Sequence, residues 1–348
     1  MRGGARYSLC LALLALLSAC ARQGGGQSGA TLQRPALNLP AEPASAFDSL
    51  PGWRSEPVLP GVREFAAGCQ NIGDRAFSPA CAAARRNPPA SEIAARDFLR
   101  ANFRPISLGS DRLTGYFEIT VSGTRTQDRD HRVPVLRTPP SPTQFSRGEI
   151  LAGALAGRGL EIVWLRNEAD LYWLHLQGSG RVMLPNGTSV RVGTAAVNGR
   201  PHTGYSAMFN DLPIPGHDLS GPSVRAWGEA HPAEFHRYLS REAAYNFMRE
   251  TASGAGDAGP LGHFGRNLVP MLSVAVDPAT TSLGSMLWIN GSNPSSHRFL
   301  PHLVIAHDTG PAIVGPARLD LFYGSGEEAE QAGGHQYAAG QVWALAPK

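Results

Sequence analysis

Short alternating runs of apolar and polar residues, separated by Gly, Pro, Asn and Asp, dominate the chain from Leu113 onward. They predict strands. LTGYFEITV at 113–121 is the first run, and Gly115 in its middle marks a bulge or a close backbone approach. VPVLR, LEIVWL and DLYWLHLQ read as three more strands between Val133 and Gln177, and Gln177-Gly178-Ser179-Gly180 leads into RVMLPNGTSVRV. There Asn186-Gly187 sits between two alternating arms, the pattern of a β-hairpin. Five further short strands fall at 271–277, 284–289, 303–307, 317–323 and 341–345, for which a closed barrel is the natural arrangement.

Helical periodicity is confined to a few places. Short helical pieces punctuated by Pro and Gly run from Leu50 to Arg86. Ser91 fits the N-cap of a helix to about Asn102, with Ile93, Ala94, Phe98 and Leu99 as its core-facing stripe. Residues 221–250 read as helical, with Pro232 in a first turn and Phe235, Tyr238 and Leu239 on one stripe. Ser325 and Glu328 have capping-box spacing, and Gly333 stops that short helix. SGAGDAGPLG, at 253–262, marks a boundary.

The N-terminus carries an address. Arg2 and Arg6 precede the apolar run LCLALLALLSAC, too short to span a bilayer, which reads as an export signal. Its end, Leu17-Ser18-Ala19-Cys20, resembles the bacterial lipoprotein box, which implies a lipidated Cys20 after removal of residues 1–19. Residues 20–46, rich in Gly, Gln, Ser and Pro, then form a flexible tether. Loss of two arginines and no acids takes the formal charge from +3 to +1. With its arginines scattered among acids, the chain has no basic strip for nucleic acid. Cys69 and Cys81 remain, and in an oxidising compartment a pair closing a short loop is expected to form a disulfide.

Candidate chemistry gathers near the end. Asp308 and Asp320 each adjoin an apolar run of strand character, LVIAHD and RLDLFY. Alternation sets Arg318, Asp320 and Phe322 on one face, so a carboxyl group stands mid-strand beside a ring. Partly desolvated there, it would resist ionising and could serve as a general acid. The same residues also fit a turn at Asp308-Thr309-Gly310 and a solvated strand position at Asp320. Thr114, Tyr116 and Glu118 share a face that could line a sugar groove or simply meet solvent. His297, His302 and His307 recur at five-residue spacing without a HExxH, and neither metal nor cofactor is expected.

Several blocks in one order carry a resemblance: LTGYFE at 113–118, LEIVWL, LHLQGSGRVMLPNG, SVAVDP at 273–278, and AHDTGPAIVGPARLDLFYGSG. With the lipoprotein signal before them, the chain resembles the membrane-bound lytic transglycosylase A (MltA) family from about residue 48 to its end. The resemblance implies a mainly β fold with a few short helices: a double-psi β-barrel from residues 47–119 and 256–348, and a smaller β-barrel-like domain inserted at 120–255. It implies non-hydrolytic cleavage of the β-1,4 bond between N-acetylmuramic acid and N-acetylglucosamine in peptidoglycan, leaving a 1,6-anhydro end. Asp320 would be the acid and then the base, with Asp308 and Asp277 supporting it. Thr114, Gly115, Tyr116, Gln177, Gly178, Ser179, Gly180, Tyr323 and Gly324 become groove candidates. Peptidoglycan glycan strands become the expected partner, joined by other cell-wall enzymes, with the lipid holding the protein on the periplasmic face of the outer membrane. Where the family usually has DTGGAIKG, this chain has Pro311 for a glycine and Val314 for the lysine, and Thr194 stands where a tyrosine is usual. Pro311 and Val314 keep one alternative in view, a peptidoglycan-binding lipoprotein with impaired catalysis, and a second is a two-carboxylate glycoside hydrolase with Asp308 as base and Asp320 as acid.

Overall fold

A computed structural model describes residues 47–251, 259–294, 300 and 303–348. The export signal, Cys20, the tether, most of the boundary at 253–262, His297 and His302 lie outside the described residues. In chain order the helices are α1 (Leu59–Gly68), α2 (Ser78–Arg86), α3 (Glu92–Asn102), α4 (Arg147–Leu151), α5 (Glu168–Gln177), α6 (Tyr205–Phe209), α7 (Gly221–Ala230), α8 (Pro232–Leu239) and α9 (Glu327–Gly334). The strands are β1 (Phe103–Thr124), β2 (Val133–Leu136), β3 (Glu161–Leu165), β4 (Ser179–Met183), β5 (Ser189–Val197), β6 (Asn246–Glu250), β7 (Ser273–Val276), β8 (Met286–Asn290), β9 (Leu303–Thr309), β10 (Leu319–Ser325) and β11 (Tyr337–Pro347). None of the described helices is long and apolar enough to cross a membrane.

The strand order β10-β7-β9-β8-β11-β1, with β10 also paired to β1, closes a six-stranded barrel. This is the mainly β, double-psi barrel expected. Closure leaves no free edge, and the inward residues Leu113, Val274, Val304, Leu319, Leu321 and Val342 fill the lumen. Helices α1 to α3 cover the outer face of β8, β9 and β11 through Phe65, Phe98, Phe103, Trp288 and Ile305. The disulfide between Cys69 and Cys81, with Cα atoms 5.6 Å apart, ties α1 to α2. The outer face of β1, β10 and β7 is left free of these helices, and there the candidate chemistry sits.

β1 belongs to both halves of the molecule. Up to Glu118 it pairs with β10 and β11. From Ile119 to Ser122 it pairs with β4, and then with β3 at Gly123 and Thr124. One 22-residue strand thus runs from the barrel into the insert. The hairpin of β4 and β5 forms as expected, with Arg181 opposite Arg191 and Met183 opposite Ser189, and Gly187 at φ +81° in a loop closed by Leu184 N donating to Thr188 O at 2.8 Å.

Four local expectations fail. DLYWLHLQ is the helix α5, not a strand. Residues Ala169 to His175 are all buried on every side of it, so neither period shows in the sequence. The ends decide: the Asn167 side chain accepts from Asp170 N at 2.7 Å, and Gly178 closes the helix in the left-handed region. Residues 246–250 are strand β6 rather than helix, because β5 offers them an edge. In α3, Ile93 is 75% exposed, and the buried stripe is Ala95, Phe98 and Leu99. Ser325 does not cap α9, which has Gly326 at its N-cap and runs to Gly334, past Gly333. The Ser325 hydroxyl instead donates to Glu118 Oε2 at 2.8 Å.

Candidate active site

Strand register assembles the site. Thr114 of β1 lies opposite Asp320 of β10, Asp320 lies opposite Ala275 of β7, and Ala275 lies opposite Asp308 of β9. Laterally paired residues of a sheet project to the same side. All four therefore point out of the barrel, with the small side chain of Ala275 between the two carboxylates. Asp308 reaches this row because the β7–β9 register shifts by one residue, Val274 pairing with Ala306 and Ala275 with Asp308. The extra residue is His307, fully buried and stacked on Phe264 with ring centroids 5.4 Å apart. Without that shift the alternation would turn Asp308 into the lumen.

Each aspartate has a different set of neighbours. The Thr114 hydroxyl donates to Asp320 Oδ1 at 2.6 Å. Burial pushes the Asp320 carboxyl above the ordinary range, the Thr114 bond and the Arg318 guanidinium pull it back, and Asp308 pushes it up. Asp308 accepts three bonds: from the Tyr116 hydroxyl at 3.2 Å, from His263 N at 3.1 Å and from the His263 ring at 2.8 Å. The carboxylate raises His263 above its usual value in return. Asp277 stands two residues beyond Ala275. Its Oδ1 accepts from Ala279 N and its Oδ2 from Gly315 N, each at 2.8 Å, so it both makes the turn at Pro278 and pins the loop between β9 and β10.

The remaining candidates divide. Tyr116 is in the site, its ring 5.2 Å from that of Phe322. Gly115 is the close approach expected: a Cβ there would stand 2.7 Å from Tyr323 and 2.8 Å from the Gly333 carbonyl. Its hydrogen faces packed protein, and the Tyr323 hydroxyl donates to Gln336 beneath it at 2.8 Å. Gly324, at φ +103°, takes up the extra residue where Tyr116–Phe322 pairing steps to Glu118–Ser325. The contacts of Gln177 to Gly180 go elsewhere. Gln177 accepts from Phe117 N at 3.0 Å, Gly178 O accepts from Thr194 N and Oγ1, and Ser179 and Gly180 start β4. Thr194 thus holds the end of α5.

Glu118 is neither groove wall nor solvent-facing. It is fully buried, with Arg191 Nε 2.6 Å from Oε1 and Arg181 Nε donating to Oε2 at 2.8 Å, and it locks the insert to the barrel beside Ser325. Pro311 occupies the second position of a turn closed by Ile313 N donating to Gly310 O at 3.0 Å, where its fixed φ suits the chain and its missing N–H is not needed. Val314, directly before the pinned Gly315, is 69% exposed. Three residues of the site carry no signal in the sequence. His263 lies in a loop without motif spacing, Ala275 has no reactive group, and Tyr337, 64% exposed, joins the row only because β11 sets it opposite Thr114. Among the described residues no group of three or more His, Cys, Asp or Glu side chains could hold a metal ion.

Residues 143–249 match the MltA specific insert domain and residues 272–346 match the 3D domain, together more than half of the chain. The chain belongs to the MltA family. The family's "Membrane-bound lytic murein transglycosylase A" of Vibrio cholerae is 28% identical over 251 residues, 68% of this chain and 66% of that one. The membrane-bound lytic murein transglycosylase of Agrobacterium tumefaciens has a crystal structure that superposes with a TM-score of 0.77 at 26% identity, covering 87% of this chain and 97% of that one. The Escherichia coli MltA structure with bound chitohexaose shares the fold, with a TM-score of 0.68 at 23% identity over 84% of this chain and 91% of that one.

Proposed function

We propose that the protein is a peptidoglycan lytic transglycosylase that uses Asp320 alone as acid and then base. The observation that carries this reading is the asymmetry of the two carboxyl groups flanking Ala275. Asp320 has a raised proton affinity and accepts a side-chain bond from Thr114, whereas both oxygens of Asp308 are engaged by Tyr116 and His263. The V. cholerae and A. tumefaciens relatives, lytic murein transglycosylases by name, support the substrate class.

In this mechanism the protonated Asp320 gives its hydrogen to the glycosidic oxygen as the bond from C1 of N-acetylmuramic acid breaks. Positive charge gathers at C1 and the ring oxygen, and the Asp308 carboxylate faces it across Ala275. The C6 hydroxyl of the same sugar attacks C1 and closes the 1,6-anhydro ring, and its proton returns to Asp320. No water is consumed. Thr114 fixes the acid's rotamer, and Asp277 keeps the loop at 310–315 beside the cleaved bond.

The alternative with a specific observation behind it is hydrolysis with Asp308 as base. Two strand spacings separate the aspartates, roughly 10 Å between backbones, a span that could admit a water. The three donors on Asp308 count against it, since they occupy both of its oxygens and leave neither free to orient a water. Digestion of purified murein sacculi followed by mass spectrometry decides: anhydromuropeptides carry one water less than hydrolytic products. A product containing that water defeats the transglycosylase reading, and sacculus binding without any release favours an impaired binding protein.

The address belongs to the same proposal. A lipid on Cys20 would hold the protein on the periplasmic face of the outer membrane, within reach of glycan strands and other cell-wall enzymes. Fatty-acid labelling that survives Cys20→Ser would refute the anchor.

A further inference from the structure

Beyond the acid, along the same face of β1, lies a cavity of about 540 Å³ in the insert. Thr120, Ser122, Arg166, Asp170, Arg225 and Glu229 are among the residues that line it. Thr120 follows Thr114 by six residues of one strand, roughly 20 Å at the rise of extended chain. The cavity is therefore separate from the acid and in line with it.

Its charges are unevenly compensated. Arg225 meets three carboxylates at once: Asp170 at 2.8 Å, Glu330 at 2.7 Å and Glu229 at 3.4 Å. One guanidinium against three acids leaves an excess of negative charge. Glu229, the most distant of the three and 45% exposed, is the group with capacity to spare. Burial and then the neighbouring Asp170 raise its proton affinity, as an under-compensated acid requires. Arg166, also in the lining, is exposed and has no hydrogen bond or ion pair among the described residues. The lining thus holds a free cation and an under-compensated anion, together with two hydroxyls. A neutral sugar needs neither charge. A ligand carrying a carboxylate and an ammonium group matches both.

We infer that this cavity binds the charged end of a short peptide, its carboxylate on Arg166 and its amine on Glu229. The inference rests on the peptidoglycan reading of the site, since peptidoglycan carries short peptides with these groups on its muramic acid. Four to five extended residues span up to roughly 17 Å, so the cavity suits the peptide of a sugar bound along β1 on its own side of Asp320 rather than that of the sugar at the acid itself. The cavity would then position peptide-bearing strands and leave the chemistry unchanged.

The test uses the full chain and the tripeptide L-alanyl-γ-D-glutamyl-meso-diaminopimelate in isothermal titration calorimetry. Binding is expected, and Arg166→Ala and Glu229→Gln should each weaken it about tenfold or more, the usual loss for a charge-assisted bond. In digestion assays Arg166→Ala should raise KM for peptide-bearing sacculi and leave both KM and kcat unchanged on glycan stripped of peptides by an amidase. Arg166 is exposed and unbonded, so its removal leaves folding intact. No binding of the tripeptide to the wild type, binding by either variant as tight as the wild type's, or an equal KM change on stripped glycan would each overturn the inference. The titration needs no turnover, so it reads the cavity even if the lytic activity itself proves absent.

Discussion

Thr114 donates its hydroxyl to Oδ1 of Asp320 at 2.6 Å, joining residues 206 apart in the chain. The bond exists because β1 and β10 run parallel with these two residues in register. It fixes the Asp320 rotamer and opposes the upward push of burial, so Thr114 tunes Asp320 as well as holding it.

Asp320→Asn should abolish release of anhydromuropeptides, with a loss of about 10²–10⁴-fold, the usual contribution of a positioned acid. Sacculus pelleting should be nearly unchanged, since the amide keeps the shape and loses the transferable proton. Turnover within tenfold of the wild type would show that another group supplies the proton.

The alkaline limb of the pH–rate profile should follow Asp320, because in the proposed mechanism only its protonated form starts the reaction. Activity falls as pH rises through its folded pKa, which lies above the ordinary aspartate value. Thr114→Val removes an influence that lowers that pKa and should move the limb to higher pH. Asp308→Asn removes one that raises it and should move the limb lower. Shifts in the same direction for both variants would contradict the assignment of Asp320.

Asp277 serves through acceptor geometry. Asp277→Ala releases the Gly315 amide and should cut kcat about tenfold or more as the loop loosens. Asp277→Asn keeps one acceptor oxygen, which can serve the Gly315 amide at the expense of the bond from Ala279, so it should lose less rate than the alanine. Equal losses in the two would point to its charge instead, and rate assays on sacculi distinguish the cases.

Acid should destabilise the fold through His307. Burial lowers its pKa to about 4, against an ordinary value near 6.5. Below pH 6.5 the unfolded chain takes up a proton there that the folded chain refuses, so stability declines as pH falls and the decline levels off near the folded value. The full loss is about 3 kcal/mol. Urea denaturation at about pH 7.5 and about pH 5 should register about 2 kcal/mol of it, and His307→Gln should flatten the dependence.

Gly115→Ala should destabilise by roughly 1–3 kcal/mol, because the new methyl meets the Tyr323 ring and the Gly333 carbonyl inside van der Waals distance. A thermal melt at wild-type Tm would mean that α9 yields freely. An activity loss at unchanged Tm would assign Gly115 to the groove.

Elements with local signals were legible in the chain. The β4–β5 hairpin, the barrel strands and the cap at Ser91 follow from short apolar runs, turn residues and local hydrogen bonding, all of which act over a few residues. The MltA blocks likewise marked Asp308, Asp320 and Thr114. Tertiary structure decided the rest. Helix α5 is buried on all sides and has no face to betray it. Asp308 points at Asp320 only through a one-residue register shift at His307, and Glu118 is sealed by arginines from strands that lie far from it in the chain. Which residue opposes which across a sheet is fixed by the packing of both faces and the closure of the barrel. Those are sums over distant contacts, and no window of sequence contains them.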